Sequence, residues 1–134
     1  MAMNPVVHFE IHAEDPQRTM AFYGAVFGWK FEDYSQYTGS PYWGVIAKEQ
    51  DGDPGINGGL LQRNASPARE GASPNAFVCT LAVTDYDKTA EAILRHGGRE
   101  ALAKHALPGM AWQGYFIDPE GNLIGIHQPD TNAR

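Results

Sequence analysis

Cysteine is nearly missing: Cys79 stands alone among 134 residues. No disulfide can close within the chain, and a reducing, cytoplasmic setting is expected. Positive charge is also scarce, with ten Lys and Arg against 16 Asp and Glu for a net charge of −6. A phosphate-backbone binder needs a basic face, so nucleic acid is not an expected partner. No apolar run reaches the roughly 18 residues that span a bilayer, so no membrane partner is expected. The N-terminus lacks the basic-apolar-small order of a signal peptide. Neither a phosphate-cradling glycine loop nor a nucleophile elbow occurs. What is present is an ordinary globular composition, 43% hydrophobic and 19% charged, enough for one compact domain over 1–134.

The chain opens on "VVHFEIHAE", in which Val7, Phe9 and Ile11 alternate with His8, Glu10 and His12. A period of two predicts a strand with one packed and one polar face. "DPQRTMAFYGAVFGW" follows as a helix, with Asp15 as N-cap, Pro16 in the first turn and Gly28 as the stop. "WKFEDYSQY", "PYWGVIAKE" and "NGGLLQR" read as strands. "NASPAREGASPN" has no periodicity and reads as a linker. Then the order repeats: strand "AFVCTLAVTD", a helix capped by Asp85 and stopped at Gly97 or Gly98, and "REALAKHAL" leading into "MAWQGYFID", the turn "DPEGN" and "LIGIHQ". An offset of 70 lays Asp15 on Asp85, Thr19 on Thr89 and Gly28 on Gly98. Two βαβββ modules are therefore expected, about 1–63 and 76–130, around a linker at 64–75.

His8 and His12 invite a metal reading that the strand geometry defeats. At ~3.3 Å per residue they stand about 13 Å apart, whereas a metal–nitrogen bond is only ~2.0–2.1 Å. His8 and Glu10, two apart on one face, remain able to meet a common ligand. Tyr42, Trp43, Trp112 and Tyr115 offer aromatic walls, and alternation alone leaves open which of them face inward. Glu10 is expected near an open rim, because a carboxylate buried without partners is costly. His12 is expected at the solvated surface, as are Lys104 and His105 in a loop before the turn "LPGM". Cys79 is expected as a buried structural thiol.

"HFEIHAEDPQRTMAFYGAVFGW" and "GYFIDPEGNLIGIHQ" resemble the glyoxalase/bleomycin-resistance/extradiol-dioxygenase superfamily, also called vicinal oxygen chelate (VOC) proteins. The resemblance runs through nearly the whole chain. It implies an α+β fold, two βαβββ modules forming a cupped, mixed and mostly antiparallel sheet with helices outside, and a homodimer. It also implies a divalent metal held in the cup of the enzymes. Of the four ligand positions carried over, only His8 bears a donor; the others are Gly59, Val78 and Gly125. A catalytic metal site takes about three protein ligands, so no cofactor is expected. The expected function is metal-free binding of a small apolar or aromatic molecule, with His8 and Glu10 as the chemical groups and Trp43, Trp112 and His127 as ligand contacts. The alternative is a metal-dependent lyase, isomerase or dioxygenase whose divalent metal sits on His8. A third reading uses His8, Glu10 or His127 for metal-free proton transfer.

Overall fold

The computed structural model describes residues 3–66, 70–71, 77–119 and 122–134. Part of the expected linker, the first residue of the expected second module, and Glu120 and Gly121 of the "DPEGN" turn lie outside them. The fold is mixed α+β, with eight strands and few helices. The chain divides into two compact units, one of His8–Phe77, the other of Met1–Val7 with Val78–Arg134.

In the His8–Phe77 unit the elements are β1 (Val6–Ala13, entered at residue 8), α1 (Pro16–Phe27), β2 (Lys30–Asp33), α2 (Ser35–Thr38), β3 (Tyr42–Ile46) and β4 (Gly58–Gln62). The strands run in the order β2-β3-β4-β1. β1 and β4 are parallel, and the β2–β3 and β3–β4 pairs are antiparallel. α1 begins where Asp15 accepts a hydrogen bond from the Arg18 N–H at 3.1 Å and ends at Gly28 in a left-handed conformation. The expected caps and stop are therefore in place.

One sheet face meets α1. Phe9, Ile11, Val45 and Leu60 form its buried centre, with Met20, Tyr23, Trp29 and Trp43 against them. Tyr23 stacks on Trp29 with ring centroids 4.9 Å apart, so this wall gains aromatic contact beyond area burial.

The single strand expected over "WKFEDYSQY" is cut short by α2. Asp33 Oδ1 accepts from the Ser35 N–H at 2.8 Å, which starts the turn, and Gly39 at φ 76° closes it. A local side-chain hydrogen bond has outcompeted the sheet ladder.

The other unit contains β5 (Val78–Ala82), α3 (Tyr86–Arg95), β6 (Arg99–Leu107), β7 (Ala111–Ile117) and β8 (Leu123–Pro129), with its strands in the order β5-β8-β7-β6. β5 and β8 are parallel, while β7 pairs antiparallel with both neighbours. Asp85 caps α3 as Asp15 caps α1, accepting from the Lys88 N–H at 3.1 Å. Val83, Tyr86, Phe116 and Ile126 make the helix-side core. Lys104 and His105, expected in a loop, lie within β6, whose register against β7 shifts between Leu102 and His105. Cys79 is half-buried rather than buried, and Val7, expected on the packed side, is exposed.

Candidate functional site

The face of β1, β4 and β3 turned away from α1 carries the candidate chemistry. Register puts Glu10 opposite Gly59, and Gly59 opposite Gly44. Directly paired residues share a face, so two glycines lie in a row beside the carboxylate. Both are covered by tyrosine. A Cβ on Gly59 would collide with the Tyr42 hydroxyl, and one on Gly44 with the Tyr34 ring. Absent side chains thus make the floor, and two phenol rings lie across it.

Tyr42 gathers the polar groups. Its hydroxyl stands 3.2 Å from His8 Nε2 and 3.3 Å from Glu10 Oε2. With Glu10 as a carboxylate, which only accepts, Tyr42 donates to Glu10 and receives the His8 Nε2–H. The His8 Nδ1 lone pair is then left for a further donor. The bond to Glu10 is longer than the ~2.7–2.8 Å usual for O–H···O and the bond from His8 is at the long end of the ~2.7–3.2 Å range for N–H···O, leaving slack for tightening around a ligand. Burial, with the Glu10 charge and hydrogen bond, pushes the Tyr42 phenol well up, so it stays neutral. Burial lowers the His8 imidazole from its ordinary 6.5, partly offset by the Glu10 charge.

Glu10 is not at a rim: the residue is only 6% exposed. The Tyr42 hydroxyl stands in for water at one oxygen of its carboxylate. His12 Nε2 is buried 3.9 Å from Glu10 Oε1, while the His12 side chain as a whole is 33% exposed, so the residue is partly solvated. Its carbonyl accepts from Arg63 Nη2 at 2.6 Å, which ties the end of β1 to β4's exit.

Trp43 and Trp112, expected as ligand contacts, stand on the helix-side faces. Trp43 packs against Leu60 and Val45, one step out of phase with Tyr42. On that side it lines an open groove of about 650 Å³ with Pro16, Ser35 and Gln62. Trp112 packs against the Phe116–Ile126 core, gives its indole N–H to Asp130 Oδ2 at 3.0 Å, and lies under Lys104 Nζ, 4.7 Å from the ring centroid. The tyrosines, not the tryptophans, supply the aromatic surface beside His8. The period-two alternation around Tyr42 carried that signal once the inward face was known.

In the other unit the face away from α3 repeats the plan with different residues. Thr80 pairs with Gly125, and Gly125 with Tyr115, in one row. Gln113 and His127 pair in the next row, and Gln113 Oε1 receives His127 Nδ1–H at 2.8 Å. Val78 is buried and offers no donor.

These residues do not fit the divalent metal that the family resemblance implies. Among the described residues no three His, Cys, Asp or Glu side chains gather closely enough to share an ion. The place of the second donor, at Gly59, is taken by a neutral phenol that is already hydrogen-bonded.

A four-stranded βαβββ unit twice over, with a polar face opposite each helix, defines a two-module α+β protein built to present side chains from sheet faces. The chain belongs to the family of the glyoxalase-like domain, whose model matches residues 8–127. Its fold is shared with methylmalonyl-CoA epimerase from Mycobacterium tuberculosis, at 17% identity and TM-score 0.60, covering 97% of this chain and 93% of that one. A glyoxalase/bleomycin resistance protein/dioxygenase superfamily member from Vibrio splendidus matches at 16% identity and TM-score 0.60, over 94% and 99%. A Streptomyces coelicolor methylmalonyl-CoA epimerase variant in complex with 2-nitronate-propionyl-CoA matches at 18% and 0.61, over 99% of both chains. No curated protein sequence matches.

Proposed function

We propose that this glyoxalase-like chain binds a small organic molecule without a metal, with His8 as its recognition group. The observation that carries the reading is the hydrogen-bonded run His8–Tyr42–Glu10 laid over Gly59. The run fixes one imidazole tautomer and leaves Nδ1, which has no partner among the described residues, as an acceptor. A ligand presenting a hydroxyl or N–H to that nitrogen, and an aromatic or apolar body to Tyr34 and Tyr42, meets both features. The superfamily neighbours support the class of activity, small-molecule handling, and not a particular substrate. The proposal extends to a cytoplasmic homodimer. The lone, half-buried thiol supports the compartment, and Phe22, Val26 and Phe27 on α1, each more than half exposed, support self-association.

A titration with 4-nitrophenol tests it, because the absorbance of this probe reports proton sharing. The purified chain is expected to bind it saturably and shift its spectrum. His8→Ala and Tyr42→Phe are each expected to weaken binding about tenfold or more, some 1.4 kcal/mol. Stoichiometric Ni, Zn, Fe or Mn in the purified protein, lost in His8→Ala, would overturn the metal-free reading in favour of the metalloenzyme.

A further inference from the structure

The two units place equivalent residues over equivalent glycines, and only one of the two arrangements is closed. In the His8–Phe77 unit, the first-strand Glu10 and the third-strand Tyr42 cover Gly59 and bond to each other. In the other unit the corresponding residues are Thr80 of β5 and Gln113 of β7, over Gly125 of β8. They make no hydrogen bond to each other. A Cβ built on Gly125 would stand 2.9 Å from Thr80 Oγ1 and 3.1 Å from Gln113 Nε2, with the Tyr115 ring edge at 3.2 Å. Two polar atoms therefore converge above a residue that has no side chain. Gly125 is not kept for its backbone, since it is not among the positive-φ glycines. What the missing side chain allows is the close approach of Thr80, Gln113 and Tyr115 to the strand.

The two side chains are set for donation. Gln113 Oε1 is taken by His127 Nδ1–H at 2.8 Å, so the amide is turned with its NH2 toward Gly125. Thr80 is 2% exposed, and its hydroxyl has no partner. An unmet buried hydroxyl is destabilising, and valine would fill the same volume without that cost. A threonine here makes sense where something completes its hydrogen bond.

We propose that Thr80 and Gln113, over the floor of Gly125, form a second subsite that takes an acceptor oxygen, the carbonyl or carboxylate end of a small organic molecule. Both donors are neutral, so the subsite suits a single oxygen or a monocarboxylate rather than a multiply charged group. Its near-complete burial admits only a slim group, with the rest of the molecule outside.

The test is a titration of the ¹⁵N-labelled chain with acetate, and separately with acetamide, followed at the Gln113 side-chain NH2 resonances. A saturable shift of those resonances with either probe is expected, and which probe works tells carboxylate from carbonyl. Thr80→Val is expected to abolish the shift while raising the melting temperature, since it removes an idle buried hydroxyl. Absence of a saturable shift with both probes, or an undiminished shift in Thr80→Val, would overturn the subsite. Because the signal comes from Gln113 and not from 4-nitrophenol, failure here and failure of the His8 reading are separately visible.

Discussion

Tyr42 reaches both His8 and Glu10 because residue 59 has no side chain. A methyl group there would meet the Tyr42 hydroxyl well inside contact distance, so Gly59→Ala must displace the phenol. The expected cost is about 1–3 kcal/mol of stability, as for overpacking a filled site, and 4-nitrophenol binding should fall with it. A urea melt of Gly59→Ala that overlays the parent curve would contradict the packing. His8 makes a pH prediction at the same scale. Its folded pKa is depressed below the unfolded 6.5, chiefly by burial, so the unfolded chain takes up the proton more readily. This contribution is full above 6.5, is lost as pH falls through that value, and is gone below the folded pKa. His8→Gln should flatten that part of the profile, read as the difference in urea midpoint between pH 7.5 and pH 5. A parent-like profile in the variant would show that the slope does not come from His8.

The elements show which features a sequence displays and which it hides. Asp15 and Asp85 were legible as caps because capping is local: an aspartate, three residues and a helix-forming run. Each accepts the N–H three residues on at 3.1 Å. Asp15→Ala and Asp85→Ala should therefore each cost about 1 kcal/mol, within the usual 0.5–2 range, in chemical melts. An unchanged midpoint in either would mean that cap carries no load in solution. The α2 helix was not legible, because four residues carry no periodicity and Asp33 decides the matter by one side-chain bond. The inward face of β3 was equally hidden. Alternation separates Tyr42 from Trp43 but does not say which faces α1; the packing of Leu60 and Val45 on Trp43 decides it. For the same reason Glu10 was assigned to a rim. Its partner Tyr42 lies 32 residues away, and such long-range pairs leave no local mark.

For the whole chain, one family model runs from residue 8 to 127 and so passes through both compact units. No helix among the described residues is long and apolar enough to cross a membrane. The internal repeat was legible at this scale because the caps Asp15 and Asp85 recur at an offset of 70, although the stops do not: α1 ends at Gly28 and α3 at His96, followed by Gly97 at φ 94°. What diverged is the polar face, where Glu10 and Tyr42 in one unit answer to Thr80 and Gln113 in the other. Of the four metal-donor positions that the resemblance implies, only that of His8 carries a donor side chain, so stability is expected to rest on packing and hydrogen bonds rather than on an ion. If that is right, exhaustive dialysis against EDTA leaves both the melting temperature and 4-nitrophenol affinity unchanged. Saturating 4-nitrophenol instead raises the melting temperature, by an amount equivalent to about 2.7 kcal/mol at a hundredfold excess over Kd. A melting temperature that drops on chelation and returns with one equivalent of a divalent ion would show that donors outside His8 complete a site, and the metal-free assignment would have to be abandoned.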